Sequence, residues 1–66
     1  MNIIINGQSR ITKDNTSAES LIQSICSNPQ VVICELNGTI LDRGQWASTC
    51  LNPNDRIELV TLVGGG

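Results

Sequence analysis

The segment from Thr16 to Pro29 limits this chain more than any other, because it carries the one helical pattern in the sequence. Ala18, Leu21, Ile22 and Ile25 fall at i, i+3, i+4 and i+7, a single apolar stripe on an otherwise polar stretch, with Cys26 at its edge. Thr16 or Ser17 can serve as N-cap, and Thr16 with Glu19 has capping-box spacing. Asn28-Pro29 ends the pattern, since a residue before proline is pushed out of helical geometry. A lone helix with one apolar face needs a surface to cover. The runs on either side of it are short and β-branched, so that surface is a sheet.

The sheet is read from its turns. Met1 to Asn6 is a β-branched run closed by Asn6-Gly7, a strong hairpin signal because both residues tolerate positive φ. Ser9 to Lys13 returns, with Ile11 expected as its inward residue. Period-two alternation puts Ile3 and Ile5 on one face and Ile4 on the other with Asn2 and Asn6. After the helix, Val31 to Leu36 forms a strand closed by Asn37-Gly38, and Glu35 suggests that Val32, Cys34 and Leu36 face inward. Thr39-Ile40-Leu41 can pair back. Asp42 to Ala47 reads as a short helical turn, with Trp46 a lid on one end of the core. Asn52 to Asp55 is a turn by composition and leads into a last strand from Arg56. The expected architecture is α+β: a mixed sheet of four to five strands, first and last parallel side by side, with the helix in the crossover.

With 66 residues there is room for one domain, spanning 1–66, and such a chain buries only about 60% of its unfolded surface. Trp46 is the sole aromatic, so Ile, Leu, Val, Ala and Cys make the core. A net charge of −2, without a basic stripe or aromatic platform, argues against nucleic acid. No apolar run approaches the ~20 residues of a membrane span, and a cytoplasmic chain starting at Met1 is expected. Cys26, Cys34 and Cys50 are odd in number and widely spaced; without CxxC or histidine they suggest reduced thiols and no zinc site. No carboxylate pair, Ser/His/Asp set or phosphate loop is present, and so no catalytic residue is assigned.

The end of the chain is the part that folding does not explain. Val63-Gly64-Gly65-Gly66 follows directly on a strand, and three glycines bury no side chain while losing the most backbone entropy on ordering. Two readings are open at this point. The glycines form a flexible tail, 64–66, whose bare carboxylate is threaded into another protein's active site, or they are a frayed terminus.

Taken together, Val31 to Gly38, Arg43-Gly44-Gln45-Trp46, Asn54 to Val60 and the terminal Val63 to Gly66 resemble the ThiS family, the small sulfur carriers of thiamin thiazole biosynthesis. The likeness covers essentially the whole chain. Two departures stand out: Asn54 where glycine is expected before Asp55, and no proline at or near Asp42. The resemblance implies the ubiquitin-like β-grasp fold and a carrier rather than an enzyme. It implies that Gly66 is the adenylated, sulfur-carrying terminus, with Gly64 and Gly65 extended in a partner's channel. An E1-like adenylating enzyme (ThiF-type) would use ATP and magnesium, the chain itself binding no cofactor. A cysteine desulfurase or related donor would supply the sulfur, and a thiazole synthase (ThiG-type) would receive it. Related alternatives are the small subunit of molybdopterin synthase and a ubiquitin-like protein modifier.

Beyond the tail, Ile4, Val60 and Leu62 are expected on the outward sheet face as a partner-docking patch. Cys34 and Cys26 read as small buried hydrophobes and Cys50 as partly exposed. Asp55 reads as a turn residue and Arg43 as a solvated or turn-stabilising charge.

Overall fold

The computed structural model describes residues 1–61; residues 62–66, with the expected tail, lie outside the described residues. Five strands form one mixed sheet: β1 (Asn2–Ile5), β2 (Gln8–Ile11), β3 (Val32–Leu36), β4 (Thr39–Leu41) and β5 (Arg56–Thr61). Their order across the sheet is β2-β1-β5-β3-β4. β1 and β5 are parallel and the other neighbours antiparallel. The first and last strands therefore lie side by side at the centre, as the element order predicts.

The helix α1 (Ala18–Ile25) covers one face. Its Ala18, Leu21 and Ile22 pack with Ile3, Ile5, Val32, Cys34 and Ile57 of the sheet in one core cluster, and Trp46 and Leu51 close it. The first turn of the helix has donors that cannot bond within it. The Ser17 hydroxyl accepts from Ser20 N (3.0 Å), while Ala18 N and Glu19 N donate to Thr49 O (2.8 Å) and Trp46 O (3.1 Å). Ser17 is thus the N-cap. Thr16 is not: no helix N–H donates to its hydroxyl, which instead donates to Lys13 O at 2.6 Å.

Asparagine makes the turns. Every described non-glycine residue with positive φ is asparagine: Asn6, Asn15, Asn37 and Asn54. Asn6-Gly7 and Asn37-Gly38 both have positive φ throughout, the requirement for tight two-residue hairpins. Asn54 has φ +69°, so the position where glycine was expected does need a left-handed residue, and asparagine supplies it.

Ile11 departs from expectation. It is 82% exposed and pairs with Asn2, on the face turned away from the helix. The two-residue turn sets Ile5 against Gln8, so Gln8 and Arg10 take the inward positions of β2 and Ile11 falls outward.

Candidate functional site

Two features of the fold bear on function: the end of β5, from which the chain enters its last residues, and the sheet face that the helix leaves open. Leu62, Gly64, Gly65 and Gly66 lie outside the described residues. Ile4 and Val60 do not.

On β5 the inward set is Ile57 and Leu59, and the outward set is Arg56, Glu58 and Val60. Ile4 pairs with Arg56, and Val60 pairs with Ile33 of β3. Ile4 and Val60 share the open face but are not neighbours: Ile4 lies level with Arg56, and the row of Glu58 separates it from Val60. The apolar part nearest the end of β5 is the Ile33–Val60 pair, with Val60 51% exposed. Further across, Ile40 is 64% exposed and pairs with Glu35. Sequence reasoning missed Ile33 and Ile40 as members of this surface. Alternation along β3 already placed Ile33 outward, but its pairing with Val60 depends on a register between strands far apart in the chain.

Asparagine side chains hold β5 at two places, Asn6 near its end and Asn37 at its start. Asn6 Oδ1 accepts from Leu59 N at 2.8 Å, and Asn6 Nδ2 donates to Leu59 O at 3.4 Å. At the start of the strand Asn37 Oδ1 accepts from Arg56 N at 2.9 Å, and Asn37 Nδ2 donates to Asp55 Oδ1 at 3.0 Å. Asp55 is buried, and its other oxygen accepts from Asn52 N at 2.7 Å, which makes it the organiser of the turn before β5. Beside Leu59 and Thr61 a groove of about 270 Å³ is lined also by Asn6, Gln8, Arg10 and Cys26.

Arg43 and Trp46 are structural. The Arg43 guanidinium donates to the carbonyls of Pro29 (2.7 Å), Gln30 (2.9 Å) and Val32 (3.2 Å) and lies 4.5 Å from the centre of the Trp46 ring. Trp46 is buried and donates from Nε1 to Leu41 O at 3.1 Å. The three cysteines are free; Cys34 is buried, Cys26 half-buried and Cys50 exposed. Burial pushes the Cys34 thiol above its ordinary value, with Cys26 and Glu35 adding to the rise, which favours the neutral thiol. Among the described residues no three His, Cys, Asp or Glu side chains are grouped to hold a metal ion, and no helix is long and apolar enough to cross a membrane.

Comparison with known proteins gives a consistent picture. The ThiS family matches over residues 3–66. A crystal structure of the thiamine biosynthesis protein ThiS from Geobacter metallireducens superposes with a TM-score of 0.88 at 26% identity, each chain covered over 100% of its length. An uncharacterised protein of Trieres chinensis, ycf40, is 34% identical over 62 residues, 94% of this chain and 85% of that protein. A thiazole synthase of Magnetococcus marinus is 32% identical over 66 residues, which is 100% of this chain but only 20% of the synthase.

Proposed function

The chain belongs to the ThiS family, and from that membership we propose that it is a sulfur carrier whose reactive group is the α-carboxylate of Gly66. The observation that carries this reading is the family match itself, which runs through the terminal glycines to residue 66. A carboxylate is a poor electrophile until one oxygen becomes a good leaving group. An E1-like adenylating enzyme with ATP and magnesium would convert it to an acyl-adenylate, losing pyrophosphate. The outer sulfur of a persulfide on a cysteine desulfurase or similar donor would then attack the acyl carbon and displace AMP, giving an acyl disulfide. A second thiol, acting as the two-electron reductant, would cleave its S–S bond, leaving the thiocarboxylate and a disulfide on the thiol side. The absence of side chains at Gly64 and Gly65 suits a narrow channel in which backbone and partner approach closely.

A thiazole synthase would be the acceptor. Support comes from the Magnetococcus marinus thiazole synthase, a fifth of which resembles this whole chain. In that protein a carrier-like segment and the synthase share one polypeptide. The docking surface in this reading is the open sheet face, with Val60 and Ile33 nearest the end of β5, Ile4 level with Arg56, and Leu62 following β5.

The test is intact mass. Incubation with the adenylating enzyme, ATP and a sulfur donor adds the mass difference between sulfur and oxygen at the C-terminus. An unchanged mass with an enzyme active on another carrier overturns the reading. Gly65→Val keeps cooperative unfolding and blocks adenylation; loss of folding instead would mean that the tail belongs to the core.

A further inference from the structure

We propose that Asn6 is a positioning residue for the tail: its side-chain amide fixes the end of β5 and so the direction in which the chain enters residues 62–66. The proposal rests on the carrier reading, because direction matters only if the terminus must reach a partner's site.

The parallel pairing of β1 with β5 carries backbone bonds from Ile4 N to Asp55 O and from Asn6 N to Ile57 O, both 2.9 Å. A regular parallel ladder would continue from Leu59 N to the backbone carbonyl of Asn6. Here the backbone cannot supply that rung, since Asn6 has φ +48° and turns the chain into the β1–β2 hairpin. The side chain supplies it instead, accepting from Leu59 N and donating to Leu59 O. On this flank Asn6 is the last residue of β1 or its turn that bonds β5 among the described residues. On the other flank β3 continues, pairing Ile33 with Val60 and Val32 with Thr61. Beyond Leu59, then, β5 is paired on one side only. Without the Asn6 amide that one-sided stretch would begin earlier, and the strand end could pivot about β3.

Asparagine at position 6 meets two requirements at once. It tolerates the left-handed turn, and its short amide mimics a peptide group. Glycine meets only the first. Asn6→Gly therefore removes the clamp and keeps the hairpin. The molecule also contains its own control: Asn37 opens the other Asn-Gly turn, also has positive φ, and also bonds a β5 backbone N–H, but at Arg56, the end of the strand remote from the tail.

The experiment compares wild type, Asn6→Gly and Asn37→Gly as full chains, by amide hydrogen exchange and by adenylation with the family's ATP-dependent enzyme. In Asn6→Gly, exchange at Leu59 quickens and KM for adenylation rises, each by about tenfold, the scale of one hydrogen bond, with kcat nearly unchanged. Asn37→Gly unfolds more easily yet keeps the wild-type KM. Equal KM changes in the two variants, or unchanged Leu59 exchange in Asn6→Gly, overturn the proposal. Wild type that is never adenylated overturns the carrier reading first and this proposal with it. Wild type that is adenylated while Asn6→Gly keeps its KM overturns this proposal alone. Asn6→Asp separates the bonds: it keeps the acceptor for Leu59 N, and most of the Leu59 protection returns.

Discussion

Glu35 and Glu58 stand directly opposite one another in the antiparallel pairing of β3 with β5, on the face the helix leaves open. The one ion pair among the described residues joins the Met1 ammonium to Asp14 at 3.3 Å, so neither glutamate has a cation within salt-bridge distance. Like charges placed directly opposite destabilise a sheet. Their position at the centre of the open face, between Ile40 and the Ile33–Val60 pair, sets a repulsive charge where the surface is otherwise partly apolar.

Glu58→Gln removes the repulsion without changing shape. The isolated domain gains about 0.2–1 kcal/mol, read as a higher urea midpoint at unchanged slope. Added salt stabilises wild type through the same term, and that sensitivity is smaller in the variant.

Position 54 separates turn geometry from side-chain chemistry. With φ +69° at this residue, Asn54→Ala loses about 1–2 kcal/mol, the cost of placing a Cβ in left-handed backbone. Asn54→Gly stays within a few tenths of wild type. Thermal unfolding of the two variants side by side checks the contrast.

The Arg43 fork binds three carbonyls and stacks on Trp46, linking the turn after β4 to the segment before β3. Arg43→Ala costs about 1–3 kcal/mol, from charge-assisted bonds and stacking together. Arg43→Lys recovers only part, because an ammonium cannot reproduce the planar fork. Denaturant titration measures both.

Cys34 gives stability a pH dependence of known sign. Its thiol is held above the ordinary value of 9.0, chiefly by burial. Above that value the unfolded chain gives up the proton while the native chain keeps it. The contribution is therefore fully present at neutral pH and is lost as pH rises from 9.0 through the native value. Cys34→Ala flattens this alkaline decline while losing some core packing. In a thiol-modification time course at neutral pH the exposed Cys50 reacts first, and Cys34 reacts only on unfolding.

Local patterns carried most of the fold. The stripe on α1 and the alternation of Ile3, Ile4 and Ile5 each depend on residues close in sequence, and both were legible. The left-handed backbone at 54 was not read from local pattern: glycine was expected there only from the family resemblance, and the structure shows that asparagine meets the same geometry. The Ile11 error came from treating one apolar residue as evidence for a face. The register set by the Asn6-Gly7 turn, counted outward from Ile5 and Gln8, already placed Ile11 opposite the outward Asn2. Long-range relations were not legible. The facing of Glu35 with Glu58, and of Asn6 with Leu59 across 53 positions, requires the strand order as well as the strands. For the same reason Ile4 and Val60 could be assigned to one face but not to their actual neighbours.

The placement of β5 between β1 and β3 has a mechanical consequence. A force applied to the chain beyond Thr61 acts along a strand held by β3 to its end and by β1 and Asn6 as far as Leu59, loading its rungs together in shear instead of opening them one at a time from an edge. A domain hauled by this end resists as a unit and yields late, whereas the same force on β2 or β4 would peel the sheet from its margin.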